Sequence, residues 1–135
     1  MHLVPGLTHS ATLVVTADLT VPAVSPALTE FSDMPPVFAT AFMVGFIEAT
    51  CIALLRPHLL NGSHSVGTAI EVSHVAATPI GMTIRTDVEL IEVDGRRLRF
   101  RVSANDDAGL IGEGFHDRAI IDVGKFMERM SQKSA

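Results

Sequence analysis

Glu48 is the only charged side chain in the run from Phe42 to Leu55, which is otherwise apolar or small. That run reads as a helix apolar nearly all round, the mark of a buried helix. A lone carboxylate there loses hydration, which raises its pKa. Such groups are kept where they have a partner or a task. The competing reading sets Glu48 on a narrow exposed stripe beside Thr50. His74 falls in a segment from Thr68 to Ala77 whose alternation places it with Ile70, Val72 and Ala76, on the more apolar face. That face should meet the helix carrying Glu48. An imidazole opposite a buried carboxylate is a pairing used for general acid–base chemistry; a core histidine bonded to a backbone carbonyl fits the same pattern. Thr40 precedes the helix. On one straight helix it would stand roughly 12 Å from Glu48, so the two share a site only if Thr40 lies in an entry segment, folded back or beside a bound substrate. Pro35-Pro36 upstream permit that, and a helix-capping threonine is the plainer alternative.

Other polar residues carry less. Arg97, Arg99 and Arg101 form a basic stripe, but the strand register expected below gives two of them carboxylate partners. His116-Asp117-Arg118 interrupts an otherwise apolar strand and suits a polar ligand. Cys51 lies on the apolar helix with no activating neighbour and reads as core. Asn61, Gly62, Ser63 and Gly67 offer backbone N–H groups to an anion only weakly. His64 and Asp106-Asp107 do not make a metal-ligand set, so no metal is expected.

The elements that must position these residues follow from periodicity. Ala11–Asp18 is rich in β-branched residues and reads as a strand. The span from Val21 to Pro36 holds Pro22, Pro26, Pro35 and Pro36 and reads as a long irregular loop, of the kind that forms lids. A helix runs from Phe42 to about Arg56, ended by Pro57. Asn61–Ser65 is a polar loop. Strands follow at Thr68–Ala77, Met82–Glu92, Arg96–Asn105 and Leu110–Val123, and Lys125–Ala135 is a short helical or frayed tail. A three-residue loop, Val93-Asp94-Gly95, is expected to join the middle pair. Its register would set Leu90 with Leu98, Val88 with Phe100 and Thr86 with Val102 on one face. The other face would pair Glu89 with Arg99 and Asp87 with Arg101. One helix followed by a four-strand meander implies an α+β domain, a curved antiparallel sheet around a single apolar helix, whose open edges invite a second copy.

With 135 residues the chain has room for one domain, taken as 1–135. Its apolar share of 47% is enough for a real core. A net charge of −5 argues against a general nucleic-acid surface but not against an anionic small ligand held by local cations. The single cysteine excludes an intrachain disulfide and fits a reducing cytoplasm. The opening Met1-His2-Leu3-Val4-Pro5-Gly6 lacks a basic leader pattern. The apolar run at Phe42–Leu55 is too short to span a bilayer, so no membrane role is expected.

Several of these stretches are similar to the fluoroacetyl-CoA thioesterase family, a branch of the hot-dog thioesterases. They are Pro36-Val37-Phe38-Ala39-Thr40, Phe42-Met43-Val44-Gly45 followed by Glu48, Gly67-Thr68-Ala69-Ile70, Val72-Ser73-His74, Ala76-Ala77-Thr78-Pro79, Glu92-Val93-Asp94-Gly95-Arg96-Arg97-Leu98 and His116-Asp117-Arg118-Ala119. The resemblance runs from about Phe31 to Phe126. It implies a homodimer of hot-dog subunits that hydrolyses a short acyl-CoA thioester with no metal or other cofactor. By the same resemblance Thr40, Glu48 and His74 form the catalytic group. Gly67 and Arg118 lie around the acyl and CoA site, and Phe31 is one aromatic of a lid. Met34 stands where the fluoroacetyl-specific enzyme has a second lid phenylalanine, so broader use of short acyl groups is expected. Glu48 would activate water or attack the thioester directly, and the carbonyl would be polarised by a backbone N–H such as that of Gly67. His74 would assist proton transfer, and Thr40 would position Glu48 or the acyl group. A hot-dog hydratase or dehydratase, or a non-catalytic acyl-CoA binding module, would use similar residues.

Overall fold

The computed structural model describes residues 3–135; Met1 and His2, the start of the segment read as lacking a leader, lie outside the described residues. Five antiparallel strands form one sheet: β1 (Thr8–Val14), β2 (Ser63–Val72), β3 (Thr83–Asp94), β4 (Arg97–Asp106) and β5 (Gly109–Asp122), in the order β1-β3-β4-β5-β2. The helix α1 (Thr40–Leu55) lies across one face, and α2 (Val123–Lys133) closes the chain against β5. This is the hot-dog arrangement expected from the sequence. The predicted four-strand meander is corrected: only β3, β4 and β5 meander. β2 crosses to the far edge and pairs with β5.

The core sits between α1 and the inner face of the sheet. Met43, Ile47, Cys51, Leu54 and Leu55 of α1 pack with Ile84, Val88, Leu90, Leu98, Phe100 and Val102. Alternating inward residues on β3 and β4 produce that face, as a half-covered sheet requires. The opposite side of α1 presents Ala41, Gly45, Ala49 and Ala53, all exposed. Thr50 is not on that exposed side. It is buried, and its hydroxyl meets Thr86 Oγ1 at 2.6 Å and donates to the Phe46 carbonyl at 2.8 Å. The stripe that would have paired Glu48 with an exposed Thr50 therefore does not exist.

The β3–β4 hairpin departs from the expected register by two residues. Leu90 faces Phe100, Val88 faces Val102 and Glu89 faces Arg101, with a bulge between Leu90 and Glu92. The turn is the two-residue Gly95-Arg96, with Gly95 at φ +60°, the first central position where a type II′ turn uses glycine. The ion pairs shift accordingly: Arg101 reaches Glu89 at 3.6 Å, and Arg99 reaches Asp117 of β5 at 3.3 Å. Helical geometry also continues past α1 through a 3₁₀ turn to His58. By length and composition alone, the 19 residues Thr40–His58 would suffice to cross a membrane, a span that adds Arg56, Pro57 and His58 to the shorter apolar run. Here one side of it forms the core against the sheet.

Candidate functional site

Two polar groupings lie along α1, separated by about two turns of helix. The first is built by Thr40 and His74. Thr40 is the first helical residue, after Ala39 as N-cap, and its hydroxyl makes no capping bond. Instead Thr40 Oγ1 lies 2.7 Å from His74 Nδ1. The approach to α1 is clamped from both sides: Phe38 N–H donates to the Thr78 carbonyl at 2.9 Å, and Ala39 N–H to the Leu19 carbonyl at 3.1 Å. His74 is not in a regular strand, because β2 ends at Val72. The chain continues along β5 through the N–H groups of Ser73 and Val75, which donate to Glu113 and Ile111 at 2.9 and 2.7 Å. The buried hydroxyl of Thr78 then donates to Asp106 at 2.7 Å. Burial pushes the His74 pKa below its ordinary value, outweighing the opposing influence of the Ala76 backbone. Its Nε2 is buried with no hydrogen-bond partner among the described residues, a group placed to meet something beyond those contacts.

The second grouping surrounds Glu48. Its hydrogen-bond partner is Arg118 of β5, with His116 alongside, not His74. Arg118 Nη1 donates to Glu48 Oε1 at 3.0 Å and to His116 Nε2 at 3.0 Å. Arg118 Nε donates to Ser65 Oγ at 2.8 Å, and Nη2 to the Ser65 carbonyl at 2.9 Å. Arg118 is only 4% exposed, so this guanidinium is an internal strut bonded on three sides. Glu48 is not the fully desolvated lone carboxylate expected: its side chain is 38% exposed and one of its oxygens is held by a cation. A cavity of about 230 Å³ opens beside it, lined by Val44, Glu48, Gly67, Thr68, Ala69, Ile70 and His116. Gly67 leaves space for the carboxylate, since a Cβ there would stand 2.7 Å from Glu48 Oε1. A β-bulge between Gly67 and Ala69 interrupts the β2–β5 ladder at this point; bulges are over-represented beside active sites.

Sequence reasoning did not place Ser65 in the site, and it marked His116 only as part of a polar triplet suited to a ligand. Ser65 was read as loop because the polar stretch after Asn61 lacks a hydrophobic alternation, yet it lies in β2. The signal for His116 was its i, i+2 spacing with Arg118, which puts both on one face of a strand. Phe31 and Met34 lie in the long irregular segment, joined by a backbone turn in which Met34 N–H donates to the Phe31 carbonyl at 3.2 Å. That segment is closed at its neck by Val21 N–H donating to the Val37 carbonyl at 3.0 Å and by a bridge between Thr20 and Phe38. Its base therefore lies next to Thr40. Among the described residues no group of three or more His, Cys, Asp or Glu is arranged to hold a metal. Cys51, buried under Glu48, has its thiol pKa pushed up by burial to about 12 and is inert as a nucleophile.

A helix wrapped by a five-stranded antiparallel sheet, with a carboxylate on that helix lining a small cavity, defines a hot-dog protein with a polar site on its helix. Comparisons with known proteins narrow this. The model of the family described as fluoroacetyl-CoA-specific thioesterase matches residues 15–124. A curated fluoroacetyl-CoA thioesterase from Streptantibioticus cattleyicolor is 47% identical over 134 residues, covering 99% of this chain and 95% of that protein. A solved structure of a fluoroacetyl-CoA thioesterase superposes with a TM-score of 0.95 at 44% identity and covers 98% of each chain. A variant of such an enzyme in complex with acetyl-CoA gives 0.95 at 43% identity, over 98% of this chain and 100% of that one. A thioesterase superfamily member from Thermus thermophilus gives 0.84 at 27% identity, over 96% and 92%. The chain belongs to the fluoroacetyl-CoA-specific thioesterase family.

Proposed function

We propose that this protein hydrolyses short-chain acyl-CoA thioesters, acting as a homodimer, with Glu48 as the reacting carboxylate. The observation that carries the reading is the state of Glu48: Arg118 holds Oε1 at 3.0 Å, and the carboxyl group faces a small cavity bounded by the bulged backbone at Gly67. Oε2, with no protein hydrogen-bond partner among the described residues, is free to act on substrate. Glu48 takes a proton from water, whose oxygen adds to the thioester carbonyl carbon. The carbonyl oxygen gains the charge beside the backbone N–H groups of the bulge. Collapse of the tetrahedral intermediate breaks the carbon–sulfur bond, and the departing thiolate takes up a proton, leaving the free acid and coenzyme A. The neutral His74 imidazole, held by Thr40, serves proton transfer.

A homodimer is supported by the exposed edge strand at Gly67–Glu71 and by the uncovered small-residue side of α1, which one copy leaves open. The lid built on Phe31 and Met34 closes near Thr40. A methionine is longer and more flexible than phenylalanine and shapes a pocket less tightly, which supports use of acetyl-, propionyl- and related CoA esters without strong preference for a fluorinated one.

Release of free thiol from a panel of acyl-CoA esters tests the reaction. Thiol release by the wild type is expected, and Glu48→Gln should lower kcat by about 10²- to 10⁴-fold, the usual worth of a positioned acid–base group. Binding of the esters without thiol release would identify a non-catalytic module. Hydration of an enoyl-CoA in place of thiol release would identify a hydratase.

A further inference from the structure

We infer that His116 is a positioning residue for this reaction: its neutral Nδ1–H tautomer supplies the acceptor that fixes the Arg118 guanidinium and, through it, the Glu48 carboxylate. The inference rests on the reading of Glu48 as the reacting group, but its starting point is independent of catalysis. His116 is 2% exposed, and its two ring nitrogens have one close polar partner each. Nδ1 lies 2.8 Å from the Ala69 carbonyl, which can only accept, so Nδ1 carries the hydrogen. Nε2 lies 3.0 Å from Arg118 Nη1, which can only donate, so Nε2 carries the lone pair. No other tautomer and no imidazolium satisfies both contacts. The 3.7 Å approach of Nε2 to Glu48 Oε1 is then a contact between two acceptors, not an ion pair.

The ring itself is held in place. Phe100 of β4 stacks on it with centroids 6.5 Å apart and planes 27° from parallel. Gly67 leaves room for Cε1, where a Cβ would come within 3.3 Å. Arg118 therefore receives acceptors on three edges: Ser65 at Nε and Nη2, and His116 and Glu48 sharing the two hydrogens of Nη1. Because one nitrogen serves both, the direction of the bond to Glu48 is set by the bond to His116. Without that acceptor, Nη1 has one buried hydrogen unpaired, and the guanidinium turns to relieve it. The carboxylate turns with it, away from the geometry needed at the thioester.

The test uses the intact protein. Nitrogen NMR of the histidine rings should show a pyrrole-type Nδ1 and a pyridine-type Nε2 for His116 at neutral pH; an Nε2–H ring or an imidazolium overturns the assignment. His116→Gln keeps an acceptor near the Nε2 position, and His116→Leu removes it. The leucine variant should lose about 10- to 100-fold in kcat, the scale of a small misplacement of a reacting group, with KM nearly unchanged. The glutamine variant should recover most of that loss. Unchanged kcat in a folded leucine variant overturns the proposal, as does equal loss in both variants in proportion to their melting temperatures. Full activity in Glu48→Gln would instead remove the reading of Glu48, while the ring tautomer, measured in that same variant, still reports on the strut.

Discussion

A methyl group at position 67 would stand 2.7 Å from Glu48 Oε1. The clash is with the end of a flexible side chain, so Gly67→Ala should push the carboxylate aside without unfolding the chain. Expected is a fall in kcat of about tenfold or more with a nearly unchanged melting temperature; wild-type kcat would show that Glu48 acts from another rotamer. At the first grouping, Thr40→Val removes the hydroxyl from His74 Nδ1 while keeping a β-branched shape, and Thr40→Ser keeps the bond. Steady-state kinetics should rank serine well above valine, and equal rates would mean that the 2.7 Å contact is idle. Met34→Phe belongs to the same scale. It should narrow the range of acyl groups accepted, read as specificity constants for acetyl-, propionyl- and fluoroacetyl-CoA. A strong preference for the fluorinated ester already present with Met34 would place selectivity outside the lid.

At the scale of elements, alternation made the faces of β3, β4 and β5 readable, because half-buried strands must alternate. The register of the hairpin was not readable. A shift of two residues leaves every side chain on its face, so Glu89 can meet Arg99 or Arg101 with the hydrophobic pattern unchanged. The turn at Gly95-Arg96 moves the register and the bulge between Leu90 and Glu92 takes one residue of that shift back, and nothing in the pattern announces either. The position of β2 was lost for another reason: periodicity says which face a residue takes, not which strand lies beside it. The same limit hid the partner of Glu48. A lone carboxylate on an apolar helix was visible in the sequence, while Arg118, braced by Ser65, reaches it only because β5 and β2 pair. The extension of β2 past Val72 gives a test at this scale. A Cβ on Gly112 would come within 2.2 Å of the Ser73 carbonyl, a backbone atom that cannot swing away. Gly112→Ala must move the segment that carries His74, at a cost of about 1–3 kcal/mol typical of overpacking. Urea unfolding should register that loss, and activity should fall further than stability alone explains. An unaltered variant would show that this segment is not held in register by β5.

Over the whole molecule, pH acts on histidines of both groupings. Burial is the leading cause that lowers the pKa of both His74 and His116 from 6.5. Around His116 stand Arg118, which also lowers it, and Glu48 and Asp117, which raise it. The unfolded chain therefore takes up protons first as pH falls through about 6.5, and stability drops below that point. Asp87 and Asp106, lowered from 3.8 chiefly by hydrogen bonds from Arg85 and Thr78 respectively, add a second loss only at lower pH. Urea unfolding should give a smaller free energy near pH 5 than near pH 7.5, and His116→Gln should flatten part of that slope; a flat wild-type profile would contradict the depressed values. The proposed dimer bears on the two groupings themselves. Thr40 and Glu48 are eight residues apart on one helix, about 12 Å of rise, so a single chain holds them in two separate groupings. If a second copy docks on the exposed β2 edge, the Thr40–His74 pair of one protomer can serve Glu48 of the other. Mixing decides this. Glu48→Gln and His74→Ala homodimers should each be nearly inactive. After joint unfolding and refolding, half of the dimers are mixed, and each of these holds one site with both wild-type residues if sites are shared. Activity should then return to roughly a quarter of the wild-type value, from random pairing with one good site in two. A mixture as inactive as its parents, with heterodimers verified by mass, would place Glu48 and His74 of the same chain in the same site.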